Sequence, residues 1–155
     1  MDKLFMFIAT AAYSGYLPKA PGTWGSVAGV LLWFGLNQFD TTTYVLVLAV
    51  LFIIGTIASG AAEKILNQAD PGIVVIDEVV GQLIALFLAP THPLTALVGF
   101  ALFRFFDILK PFPVGWLDRH IHGGLGIMLD DVAAGLMAFA VLQAGLWLGV
   151  QAGLF

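Results

Sequence analysis

From Tyr44 to Ala62 the chain runs for 19 residues without a charged side chain, and the segment from Val132 to Val150 is equally free of charge. About 20 apolar residues in a helix cover the roughly 30 Å hydrocarbon core of a bilayer. Backbone inside such a core must satisfy its own hydrogen bonds, which leaves helices as the open-ended solution. Shorter apolar stretches, Val27 to Phe39, Val79 to Leu88 and Leu94 to Phe103, fill much of the remaining sequence. Hydrophobic residues make up 60% of the 155 residues, against about 45–50% in soluble domains, and the mean hydropathy is +0.98. The expected fold is all-α: one domain over residues 1–155, a small polytopic membrane helical bundle of about five spans or partial spans plus an N-terminal interfacial helix. A very apolar soluble helical bundle is the alternative.

The two segments flanking the turn Ala89-Pro90-Thr91-His92-Pro93 are short. About 15 residues at 1.5 Å each reach only some 22 Å, so these segments are expected to pair as a hairpin with polar inner ends. At the N-terminus, Asp2 offsets Lys3 and the strongly apolar part, Leu4 to Ile8, is shorter than a secretory-signal core. That segment is expected to lie on the membrane rather than to be cleaved.

Charge is distributed unevenly. With five spans, all six basic residues (Lys3, Lys19, Lys64, Arg104, Lys110 and Arg119) and nine of the ten acids fall on one side, Asp40 being the exception. The side rich in Lys and Arg is expected to be cytoplasmic. A net charge of -4 without a basic stripe argues against nucleic acid as a partner. The absence of cysteine removes disulfides, thiolate metal sites and cysteine nucleophiles.

Two acidic pairs, Asp77-Glu78 and Asp130-Asp131, each stand where an apolar run begins, with Gly81 four residues after Asp77 and Gly135 four after Asp131. That spacing puts acid and glycine on one helical face, where a small residue lets another helix approach closely. Helix capping accounts for one acid of each pair, and close approach of the two helices accounts for both. Between the pairs, Arg104, Asp107 and Lys110 recur every three residues before Pro111 and Pro113 stop the helix. A solvated ladder of ion pairs is one reading. Ionisable groups beside an apolar span are also functional candidates. Carboxylates without thiolates suit Mg²⁺, and Arg and Lys suit phosphate oxygens. The segment Pro21-Gly22-Thr23-Trp24-Gly25-Ser26 is read either as an anion-cradling loop through Gly22, Thr23 and Ser26, or as a simple helix start with Ser26 as N-cap; it lacks the Gly-Lys-Ser/Thr ending of a P-loop. His92, in the Pro turn, is expected to be solvated. His122 and the Gly123-Gly124 pair lie close to Asp130 and Asp131 in sequence.

PGTWGS (21–26), VIDEVVGQ (75–82) and FRFFDILKPFPVGWLDRHIHGGLGIMLDDVAAG (103–135) together resemble the phosphatidylglycerophosphatase A family of bacterial membrane lipid phosphatases. The resemblance implies Mg²⁺-dependent hydrolysis of phosphatidylglycerophosphate to phosphatidylglycerol and phosphate, at the cytoplasmic face of the bacterial inner membrane. On that basis Asp77, Glu78, Asp107, Asp130 and Asp131 are candidate metal ligands. Asp131, His122 and Asp107 are candidate catalytic groups, and Lys110, Arg119, Arg104, Gly22, Thr23 and Ser26 are candidate phosphate contacts. Asp118 is expected either to orient Arg119 or to act as a lesser ligand. Attack by water and formation of an aspartyl-phosphate are both compatible with these residues. A small ion-coupled transporter or channel using the acids as an ion path is the competing class. It requires polar residues to continue through the spans, and Tyr44 to Ala62 offers only Thr56 and Ser59 besides its terminal tyrosine.

Overall fold

The computed structural model describes residues 1–152 and is helical throughout, with no strand among the described residues. Seven α-helices follow one another: α1 (Asp2–Ala9), α2 (Pro21–Leu36), α3 (Thr41–Leu66), α4 (Ile76–Ala85), α5 (Pro93–Leu109), α6 (Val114–His120) and α7 (Gly123–Gln151), with a short 3₁₀ turn at Ser14–Tyr16 after α1. Two of them, α3 and α7, are long and apolar enough to cross a membrane. Of the five full or partial spans expected, these two have the length of a full span; α2, α4 and α5 have 16, 10 and 17 residues. At 1.5 Å per residue these three reach about 24, 15 and 26 Å. The N-terminal segment forms α1, which packs on α3 and buries Met6 and Ala9.

Helix α4 is the centre of the bundle. Seven of its ten residues are buried, against α7 on one side and α2 on another. Its contact with α2 depends on glycine, because a Cβ on Gly25 would come within 2.8 Å of the Val75 side chain and one on Gly29 within 2.8 Å of Gln82. Pro21–Ser26 is accordingly the first turn and a half of α2 rather than a loop. Its N-cap is Ala20, and Pro21 occupies the first turn, where its missing N–H is harmless. Ser26 is wholly buried and donates its hydroxyl to the Gly22 carbonyl at 2.9 Å, so it does not cap the helix.

A ten-residue helix that stops inside an apolar bundle leaves carbonyls without partners. Three other helices supply them. Tyr44 of α3 donates its hydroxyl to the Leu83 carbonyl at 2.7 Å, Gln143 of α7 donates to Phe87 at 2.8 Å, and Asn37 after α2 donates to Ala89 at 3.3 Å and also meets Thr91. Isolated polar residues in apolar segments thus close the far end of α4.

The last helix begins earlier than its apolar run suggests. Its N-cap is His122, which places Asp130 and Asp131 in the third turn of α7 rather than at its start. Capping therefore explains neither of these acids. Asp77 and Glu78 do lie in the first turn of α4, but no side chain caps that helix.

Candidate functional site

The C-terminal end of α3, the start of α4, the end of α5, Asp118 of α6 and the first turns of α7 meet at one end of the bundle, around a pocket of about 240 Å³. At the base of this pocket α4 and α7 cross on their glycines. A Cβ on Gly135 would sit 3.1 Å from the Gly81 Cα, and one on Gly81 would sit 2.7 Å from the Asp131 carbonyl oxygen. One turn before each glycine stands its acid, so close approach of the backbones brings the carboxylates together. Ligand oxygens of Asp77, Glu78 and Asp131 lie within 4.8 Å of one another.

Three carboxylates at this spacing repel strongly when ionised. At 4.8 Å and an effective dielectric of 20, each pair costs about 3–4 kcal/mol. The protein does little to offset this. One oxygen each of Asp77, Glu78 and Asp131 is buried without any hydrogen-bond partner. Unpartnered hard oxygens converging on a pocket are what a divalent cation such as Mg²⁺ requires, and the donor set fits one.

Cations surround the trio without entering it. Arg104 pairs with Asp107 at 2.6 Å and stands 3.9 Å from Glu78. Lys110 is the C-cap of α5 in left-handed conformation, which turns it off the helix and out of the predicted i, i+3 ladder. Its ammonium reaches Asp118 at 2.5 Å and Asp130 at 2.8 Å. Burial alone disfavours its charge, but the hydrogen bonds to Asp118 and Asp130 outweigh burial and hold it above the ordinary lysine range. Asp118 thus serves Lys110 rather than Arg119.

Asp77, Glu78, Asp107, Lys110, His122, Asp130 and Asp131 all line the pocket. Arg104, Arg119, Gly22, Thr23 and Ser26 do not. Arg119 donates its Nε to the Gly115 carbonyl at 2.7 Å. Gly22 lies under Glu78 and Arg104, where a Cβ would collide with the Glu78 carboxylate. Its place is a close helix contact that leaves room for Glu78. His92 stands in the opposite turn, where Nδ1 accepts the Leu94 N–H at 3.2 Å. Glu63 and Asp70 also line the pocket and were not distinguishable in sequence from solvated acids. Glu63 accepts the Asp70 N–H at 3.0 Å, which ties the end of α3 to the loop before α4. The N-terminus of α7 opens on the same pocket through Gly123, whose φ of +72° suits glycine.

Fold and site together define the class: a small apolar helical protein with an acidic, cation-competent pocket at one end of its bundle. The family model for Phosphatidylglycerophosphatase A matches residues 7–146. A protein of Escherichia coli (strain K12) named Phosphatidylglycerophosphatase A is 35% identical over 143 residues, covering 92% of this chain and 83% of the relative. Its namesake in Haemophilus influenzae is 39% identical over 139 residues, covering 88% and 85%. A Bacteroides thetaiotaomicron protein with the provisional name phosphatidylinositol-3-phosphatase is 36% identical over 149 residues, covering 92% and 93%. The chain belongs to the phosphatidylglycerophosphatase A family. No solved structure matches it, and the transporter alternative is not favoured.

Proposed function

We propose that the protein hydrolyses the terminal phosphomonoester of phosphatidylglycerophosphate, giving phosphatidylglycerol and phosphate, with Mg²⁺ held by Asp77, Glu78 and Asp131 at the cytoplasmic face of the bacterial inner membrane. The observation that carries this reading is the trio of unpartnered carboxylate oxygens in the pocket of a chain of this family. The multi-pass arrangement, with α2, α4 and α5 as partial spans, rests on all six basic residues falling to one side in a five-span reading.

Bound to these acids, Mg²⁺ supplies positive charge to the phosphoryl oxygens and lowers the pKa of a water. The chain's own groups bind and orient. Lys110, fixed between Asp118 and Asp130, presents its charge to the phosphate. The free N–H groups in the first turn of α7 add the positive end of a helix dipole at the pocket wall. Asp107, its charge balanced by Arg104, accepts a hydrogen bond from the attacking water and so aligns it. As the P–O bond to glycerol breaks, a ring nitrogen of His122 delivers a proton to the departing alkoxide oxygen.

Phosphate release from phosphatidylglycerophosphate by detergent-purified protein, with and without Mg²⁺, tests the reading. Phosphatidylinositol 3-phosphate and a soluble phosphomonoester serve as parallel substrates. The expected result is Mg²⁺-dependent release fastest from phosphatidylglycerophosphate. A preference for the inositol lipid transfers the site to that substrate, and no release from any lipid by folded protein overturns the phosphatase reading.

A further inference from the structure

A second opening joins the carboxylate pocket on its α3 side: a groove of about 480 Å³ between α3 and the start of α7. Glu63 and Gly123 line both cavities, so the groove adjoins the pocket at these two residues. Thr56, Ile57, Gly60 and Ala61 of α3 and Gly124 of α7 line the rest. It exists because the two helices meet on glycine. Gly124 packs against the Thr56 carbonyl and the Gly60 backbone, while Gly60 has only ordinary contacts, at 3.5 Å and beyond, where a side chain would stand.

From the pocket the groove leads along α3 onto a strip of exposed apolar side chains, Ile57, Ile53, Val50 and Leu46, spaced to share one helical face. Only 22% of the apolar window of α3 is buried within the protein, against 50% for α7. Polar pocket, groove and apolar strip are therefore arranged in the order of headgroup, glycerol backbone and acyl chains.

One cation stands beside this path. Arg104 and Lys110 are ion-paired with Asp107, Asp118 and Asp130 beside the carboxylate trio, whereas Lys64 lines the groove, is exposed and makes no ion pair among the described residues. Phosphatidylglycerophosphate carries a second phosphate, the diester that links its two glycerols, and that group must lie outside the carboxylate trio while the terminal ester is cleaved.

Building on the phosphatase reading above, we propose that the α3–α7 groove holds the lipid body of the substrate and that Lys64 binds its uncleaved phosphodiester. Lys64 is thus a substrate-binding residue that selects for a phosphate set back from the scissile one, and Gly60 keeps the lipid path open.

Steady-state kinetics on dioleoyl and on water-soluble dihexanoyl phosphatidylglycerophosphate test both parts. Lys64→Ala is expected to raise KM about tenfold for both lipids with kcat within about twofold, and Lys64→Arg to restore KM. Gly60→Leu is expected to raise KM for the dioleoyl lipid at least about fivefold more than for the dihexanoyl one. Ile57→Trp, on the exposed face, narrows the same path and replaces Gly60→Leu if circular dichroism shows that variant unfolded. An unchanged KM in Lys64→Ala, or a fall in kcat alone, overturns the role of Lys64. An equal effect of the groove variants on both chain lengths overturns the lipid path. Absence of lipid hydrolysis by the wild type removes the phosphatase reading itself and is seen before any variant is compared.

Discussion

At the scale of the residue, the acidic trio sets stability against function. Asp77, Glu78 and Asp131 are held close enough to repel one another, and the protein leaves an oxygen of each unpartnered. Replacing Asp131 with Asn keeps the shape and removes one charge. In chelator, Asp131→Asn is therefore expected to melt at a higher temperature than the wild type, since each like-charge pair costs about 3–4 kcal/mol at this spacing. In millimolar Mg²⁺ the order reverses, because binding to the native state alone stabilises the wild type by mass action. Thermal unfolding in both conditions checks this, and equal shifts for both proteins would rule out a cation in the trio. Turnover by the variant should fall by about 10²–10³, the usual loss when one preorganised charge-stabilising group is removed. Asp40 offers a contrasting carboxylate. At the N-cap of α3 it accepts hydrogen bonds from the Thr43 hydroxyl at 2.7 Å and its N–H at 3.0 Å, which hold it below the ordinary carboxylate range. A depressed pKa stabilises the fold above the unfolded value, and that stability is lost as pH falls through the folded one. The melting difference between Asp40→Ala and wild type should accordingly be full at neutral pH and shrink in strong acid.

At the scale of the element, the crossing of α4 and α7 is the feature that brings the three carboxylates together. Gly135→Ala pushes a methyl group against the backbone of Gly81, which cannot swing aside as a side chain can. A loss of about 1–3 kcal/mol is expected from such overpacking, with activity falling as the carboxylates move apart. Gly145, also inside α7, meets nothing within 4 Å, so Gly145→Ala should gain about 0.5–1 kcal/mol of helix stability. Denaturant unfolding of the two variants separates crowding from propensity. Much of this geometry was legible in the sequence, because an acid followed four residues later by glycine marks one helical face, twice. The start of α7 was not. His122-Gly-Gly-Leu-Gly126 carries three glycines, which argue locally for a loop, and only burial against Ile121 and α3 makes it helical. At Pro21–Ser26 a helix start was one of the two readings, but its cap is Ala20 and not Ser26. Nor was the partner of Lys110 legible, since its left-handed backbone and the reversal through α6 decide which acids it meets.

At the scale of the whole molecule, polar chemistry gathers at one end and α4 stops partway through the bundle, closed by Tyr44, Gln143 and Asn37. The absence of cysteine makes the orientation directly measurable. A single cysteine at Gln68, in the loop after α3, should react with an impermeant thiol reagent only in opened cells, and one at Thr42 should react in intact spheroplasts. The reverse pattern would invert the proposed topology. The two longest helices differ in what they contribute. Helix α3 offers an exposed apolar face, while α7 carries Asp131, the crossing glycine and the N-terminal wall of the pocket together. During synthesis the ribosome has already released Asp77 and Glu78 long before α7 exists, so a chain that has not yet reached Asp131 cannot assemble the trio. The trio exists only once α7 has packed against α4, so its formation reports that two segments far apart in the chain have met.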